Sequence, residues 1–185
     1  YDVEDYYRID PRYGTMEDFE ELSREAEKRG LRLMLDMVFN HTSDRNQWFQ
    51  KALEGDEEYK RFYIFRKGKA PGVPPTNWES KFGGSAWEYV EKFDEYYLHL
   101  FDVSQPDLNW ENPRVRQEIQ KVVKFWMGKG VKGFRFDVIN LISKGAYEDD
   151  EEGDGRRFYT DGPKIHQYLE ELNAATFGTD AEIVT

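Results

Sequence analysis

Residues 131–139 read VKGFRFDVI, and residues 31–39 read LRLMLDMVF. Each run is too short and too continuously apolar for an amphipathic helix. Each has the length and composition of a strand in a parallel sheet covered on both faces. The segment ahead of each has helical spacing. Thr15 followed by Asp18 opens a helix whose Phe19, Leu22 and Ala26 share one face, and Gly30 stops it. Further on, Asn112 caps a second helix and Pro113 takes its first turn. Val115, Ile119, Val122, Val123 and Trp126 then form an apolar stripe that ends near Gly130.

Downstream, a polar loop from Ser143 to Thr160 leads to Pro163. A helix follows with Ile165, Tyr168, Leu169 and Leu172 inward, and then AEIVT, Ala181 to Thr185, expected to be another buried strand. This is β/α alternation around a parallel sheet. No glycine-rich phosphate fingerprint follows any strand, which favours a β/α barrel over a dinucleotide-binding sheet. The rhythm breaks from about Asn40 to Asn109, where aromatics, the turn-rich GKAPGVPPTN (68–77) and short strand candidates such as Tyr96 to Phe101 point to an inserted subdomain. The expected division is a barrel segment at 1–41, an insertion at 42–109 and a second barrel segment at 110–185. Because the chain opens at Tyr1 without Met and closes on a strand, it is expected to be an internal piece of a longer protein.

Composition narrows the partners. Lys plus Arg number 26 against 37 Asp plus Glu, a formal charge of -11, which repels nucleic-acid phosphates and anionic membrane surfaces. No apolar run approaches the roughly 18 residues of a membrane span. Zero cysteines leave no disulfide framework or thiolate metal site and fit a cytoplasmic location. Aromatics make up 16% of the chain; they can pack on sugar rings but equally fill cores, so they argue only weakly for carbohydrate.

Period-two geometry in Gly133 to Ile139 puts Arg135 and Asp137 on one face, with Phe134, Phe136 and Val138 on the other. The charged pair then lies near the carboxyl end of a barrel strand, where such enzymes keep their active sites. A guanidinium beside a carboxylate favours the ionised form that a nucleophile needs. From the strand alone, two readings stay open: a nucleophile with its partner, or an Arg and Asp pair that only fixes strand packing. The earlier strand ends similarly, with Asp36, Val38 and Asn40 on one side and His41 just past the end. His99 and His166 show no ligand spacing with His41.

Three segments change the balance. DMVFNH (36–41), QPDLN (105–109) and GFRFDVIN (133–140) stand in the order and spacing of the α-amylase superfamily of glycoside hydrolases, and the chain resembles that family throughout. The resemblance implies an α/β fold, part of a (β/α)8 barrel around its third to fifth strands, with an inserted B subdomain after the third. It implies a retaining glycosidase in which Asp137 is the nucleophile and Arg135 its positioning partner. His41 would bond hydroxyls of the sugar in the cleaved subsite, Tyr1 would stack on that sugar, and Asp36 and Asn40 would shape the strand end. The reaction needs a second carboxyl about 5 to 5.5 Å away. In the family this is a Glu at the end of the fifth strand, expected just beyond Thr185; Glu182 stands too early in that strand. The piece alone is therefore expected to be inactive.

Asn40 resembles an amylase calcium ligand, but Lys144 in NLISK matches a lysine of the oligo-1,6-glucosidase branch, so no metal and no cofactor are expected. Val138 after the nucleophile resembles enzymes acting on α-1,6 links or phosphorylated trehalose. NWESKFGGSAWE (77–88) and EEGDGRRFYTDGP (151–163) resemble trehalose-6-phosphate hydrolases, with Lys81, Arg156 and Arg157 as loop cations for a phosphorylated second sugar. Two alternatives remain: an oligo-1,6-glucosidase, and a non-catalytic barrel subunit partnering a membrane transporter. Asp137, Arg135 and His41 occurring together argue against the latter.

Overall fold

A computed structural model describes residues 1–185. Helix α1 (Met16–Lys28) starts at a capping box: Thr15 accepts from the Asp18 amide while the Asp18 carboxylate accepts from the Thr15 amide, so two amides that lack helical partners are satisfied. Strand β1 (Met34–Val38) follows. Helix α4 (Pro113–Gly128) has the expected Asn112 cap and buries all five stripe residues. It leads into β5 (Gly133–Asp137), which pairs in parallel with β1 so that Asp36 lies opposite Arg135 and Val38 opposite Asp137.

The outer face of this pair and the two helices share one core. Phe19 meets Trp126 edge-on with ring centroids 5.2 Å apart, and Phe39, Val115, Ile119, Val122, Val131 and Phe134 fill the space between. Each such side chain, once buried, contributes roughly 1.5–3 kcal/mol relative to exposure. In this chain the other face of the strands is open: Met34 is 53% exposed, and Asp36 and Arg135 are exposed. Leu22 also turns out to be exposed.

Between β1 and α4 the chain builds its own three-stranded antiparallel sheet in the order β2 (Phe65–Arg66), β4 (Glu95–Leu98), β3 (Trp87–Val90). Two helices precede it, α2 (Gln47–Glu54) and α3 (Glu57–Lys60). A second core lies under this sheet, with Trp78, Trp87, Leu98, Leu100, Leu141 and Tyr159 buried and Phe101 and Val138 packed on it.

The stretch from Ser143 to Thr160 is not a solvated loop: Ser143, Lys144, Asp150 and Tyr159 are buried, and α5 (Arg156–Tyr159) forms within it. Helix α6 (Ile165–Ala175) buries Ile165, Tyr168 and Leu172 and half-buries Leu169. The final AEIVT, expected as a buried strand, makes a single parallel bridge from Val184 to Gly133, and Val184 is exposed. Two hydrogen bonds hold it to β5, Phe134 N–H to Val184 O and Val184 N–H to Lys132 O. No helix is long and apolar enough to cross a membrane.

Candidate active site

The parallel register of β1 and β5 puts Asp36, Arg135 and Asp137 on one face at the strands' carboxyl ends. The Arg135 guanidinium forks between the two carboxylates, 2.6 Å from Asp36 Oδ2 and 3.0 Å from Asp137 Oδ1. Those two hydrogen bonds, Asp137 first, raise the Arg135 pKa further above its ordinary value. Because the guanidinium is 54% exposed, the pair contributes little to stability. Its effect is orientation, since a planar fork fixes both carboxylates relative to each other.

The chain then turns sharply. Val138 adopts φ 43° and ψ 35°, a left-handed conformation that is unfavourable for a β-branched residue. A short 3₁₀ turn, Ile139–Leu141, follows, closed by the Leu141 amide on the Val138 carbonyl. Such strain persists only where surrounding packing enforces it, and Val138 is held against the second core.

Beside this strand end lies a buried polar cluster. QPDLN runs back along the end of β1: the Leu108 amide donates to Asn40 O and the Thr42 amide to Pro106 O. Asp107 is thereby brought, fully buried, beside Asn40, His41 and Lys144. Lys144 Nζ donates to Asn40 Oδ1 (3.1 Å) and Leu141 O (2.8 Å), and it lies 3.1 Å from Asp107 Oδ2. The ammonium therefore fixes the Asn40 amide with its oxygen toward Lys144. The Asn40 Nδ2 group is left to donate to Asp107 Oδ2 and His41 Nδ1, at 3.2 and 3.3 Å. His41 Nδ1 is then an acceptor, so its Nε2–H donates to Tyr1 O at 3.1 Å. Burial lowers the His41 pKa, opposed by the Asp107 charge, by the hydrogen bond to Tyr1 O and, more weakly, by Asp137.

These positions bear differently on the sequence expectations. Asp36, Arg135 and Asp137 converge. Asn40 joins the Lys144 and Asp107 cluster and makes no contact with Arg135. His41 is 2% exposed, and its Nε2–H is committed to the Tyr1 carbonyl. The Tyr1 ring is 70% exposed. Glu182 lies near Lys132, at the opposite end of β5 from Asp137.

The three loop cations have different neighbours. Lys81 and Arg156 approach one another, whereas Arg157 Nε bonds Asp150 Oδ1 at 3.0 Å. Two neighbours were not expected from the sequence. Asp107 sits inside a quoted motif but gives no local sign of its buried role. Phe101, whose ring lies 5.1 Å from His41, arrives from the far end of the antiparallel sheet.

Comparison with known proteins identifies the family. Residues 1–185 match the alpha-amylase catalytic domain family. Over 178 residues the chain is 56% identical to a trehalose-6-phosphate hydrolase of Escherichia coli, covering 96% of this chain and 32% of that protein. It is 50% identical over 181 residues to an oligo-1,6-glucosidase of Parageobacillus thermoglucosidasius, covering 94% of this chain and 32% of that protein. The crystal structure of Bacillus licheniformis trehalose-6-phosphate hydrolase superposes with a TM-score of 0.96 at 54% identity, over 99% of this chain and 33% of that one. The chain thus spans about a third of the length of these relatives. Its parallel β/α pair is part of a (β/α)8 barrel, and the chain belongs to the alpha-amylase family, within its catalytic domain.

Proposed function

We propose that a protein carrying this chain is a retaining α-glucosidase that hydrolyses trehalose 6-phosphate to glucose and glucose 6-phosphate, with Asp137 as its nucleophile. The observation that carries this reading is the Arg135 fork, which holds Asp137 against Asp36 at the open carboxyl end of the strand pair. An Asp137 oxygen bonds to the anomeric carbon as the glycosidic C–O bond breaks. The leaving oxygen takes a proton from a carboxylic acid that, on the family register, follows Thr185. Water then attacks the same carbon, gives its proton to that carboxylate and releases Asp137.

In this reading Tyr1 and His41 border the sugar in the cleaved subsite, His41 turning its Nε2–H from the Tyr1 carbonyl to a hydroxyl. Asp36 and Asn40 support the strand end. The loop cations face the second sugar. No cofactor is called for, and the Lys144 ammonium stands beside Asn40 and Asp107 where a cation would otherwise be needed. The division 1–41, 42–109 and 110–185 follows the two sheets, the middle part being the inserted subdomain. A small-molecule substrate, a cytoplasmic setting and no nucleic-acid or membrane partner complete the proposal.

The substrate choice is supported by the higher identity to a trehalose-6-phosphate hydrolase, 56%, than to an oligo-1,6-glucosidase, 50%. The second reading, an oligo-1,6-glucosidase, uses the same nucleophile. Comparing glucose release by the full-length protein from trehalose 6-phosphate, trehalose and isomaltose decides between them. Preference for trehalose 6-phosphate supports the proposal, and preference for isomaltose replaces it with the second reading.

A further inference from the structure

The carbonyl of Phe101 is held from two sides. Ser80 Oγ donates to it at 2.6 Å, and His99 Nδ1 lies 3.0 Å away. A carbonyl oxygen only accepts, so Nδ1 carries a proton and donates it there. The Ser80 hydroxyl also accepts from the Phe82 amide at 3.1 Å, which leaves its own proton directed at Phe101 O. Both side chains are buried, and the other nitrogen of His99, Nε2, has no hydrogen-bond partner. A buried ring nitrogen left unpaired costs stability, and an apolar side chain would fill the same space without that cost. Packing alone therefore does not account for a histidine at this place.

Phe101 closes a circuit of contacts around the strand end. Its ring lies 5.1 Å from the His41 ring. One residue back, the Leu100 amide donates to Asp107 Oδ1 at 2.9 Å, while Asn40 Nδ2 donates to Asp107 Oδ2 and to His41 Nδ1. His41 is thus held along its polar edge by Asn40, at the end of β1, and against its ring by Phe101. The second hold comes from the inserted subdomain: His99 follows β4 directly, and Ser80 opens a turn whose Lys81 amide donates to Leu100 O.

We propose that Ser80 and His99 are positioning residues: through the Phe101 carbonyl they set the Phe101 ring against His41, so that the inserted subdomain fixes how His41 meets the sugar. This rests on the α-glucosidase reading, in which His41 borders the sugar in the cleaved subsite. Neither Ser80 nor His99 acts on the substrate itself. Removing either donor leaves the Phe101 backbone with a single side-chain anchor, and small displacements of a group that orients substrate are costly to the rate.

The test measures kcat/KM of the full-length protein on whichever of trehalose 6-phosphate and isomaltose it cleaves faster, since both place a glucosyl group in the same subsite. His99→Phe keeps the bulk of the ring and removes the donor, whereas His99→Asn keeps an N–H near the place of Nδ1 and opens space. His99→Phe and Ser80→Ala should each lower kcat/KM about three- to tenfold, the effect of one lost hydrogen bond. His99→Asn should stay within about twofold of the parent. In a Phe101→Leu background, His99→Phe should change kcat/KM by less than about twofold, because the ring it positions is gone. Ser80→Ala, which removes only a hydroxyl, carries the test should His99→Phe fail to fold. A packing role reverses the order, with His99→Asn worse than His99→Phe, and that result overturns the proposal. Single variants at the parent level, or losses that multiply in the Phe101→Leu background, overturn it as well and leave the α-glucosidase reading intact. A full-length protein that cleaves neither sugar overturns both.

Discussion

Lys144 and Asp107 make the most demanding test of how the strand end is built. Their side chains are 3% and 0% exposed, so neither charge is screened by water. Replacing Lys144 with Met removes the ammonium but keeps a chain of similar length. Asp107 Oδ1 would still accept from the Leu100 amide at 2.9 Å, and Oδ2 from Asn40 Nδ2 at 3.2 Å. The carboxylate would nevertheless remain buried without a countercharge, and Leu141 O and Asn40 Oδ1 would lose their donor. Breaking a buried pair in this way costs about 3–5 kcal/mol. Asp107→Asn, which strands the ammonium, should cost about the same. Removing both charges removes the electrostatic conflict, so the double variant should lose less than the sum of the singles, with a coupling of about 1–3 kcal/mol. Guanidinium unfolding of the full-length protein and the three variants measures all four corners of the cycle. A Lys144→Met loss below about 1 kcal/mol, or singles additive within about 0.5 kcal/mol, would refute the reasoning.

Other expectations follow from the same geometry. Arg135→Lys keeps the charge but can reach only one of the two carboxylates, so kcat on trehalose 6-phosphate should fall about a hundredfold with KM little changed; steady-state kinetics with kcat within about threefold of the parent would contradict this. His41 has its pKa lowered by burial from the ordinary 6.5, so the unfolded state binds its proton more readily. The contribution is complete above 6.5 and is lost as pH falls through the lower folded value, so His41→Gln should flatten the stability profile on that acid side; parallel profiles from denaturation at several pH values would count against the assignment. Gly155 has φ 94°, and a Cβ there would come 2.4 Å from Trp78 Cγ. Gly155→Ala should cost about 2–5 kcal/mol from backbone strain and overpacking, measured by thermal melting, and a neutral substitution would show that the α5 turn is not pinned on Trp78.

What could be read in advance depended on whether the determining contacts were local. The Thr15 and Asp18 capping box and the Pro113 start lie within a few residues of the helices they specify, and both helices form where their spacing put them. Period-two alternation likewise placed Arg135 and Asp137 on one face. Burial was harder, because an apolar run shows that a strand can be covered but not which residues cover it. Leu22, Met34 and Val184 are apolar and yet exposed in this chain.

The inserted segment hid two helices behind its aromatic content. Their signals were nonetheless present: Asn46 caps α2, Gly55 ends it at φ 100°, and Asp56 caps α3. The polar cluster was the least legible part. Asp107 reaches Asn40 across 67 residues and Lys144 reaches Asn40 across 104, so no local pattern announces either contact. The Arg157 partner was hidden for a related reason, since Asp150 lies on a loop whose path follows from burying Trp78 and Tyr159.

The central claim is that Asp137 becomes covalently glycosylated. It is tested most directly by incubating the full-length protein with a fluorinated α-glucosyl substrate that forms the glycosyl-enzyme quickly and releases it slowly, then mapping the label by mass spectrometry. The account predicts one fluoroglucosyl group on the peptide containing Asp137 and no labelling in Asp137→Asn. A label on another carboxylate, or turnover with inversion and no label at all, would contradict it.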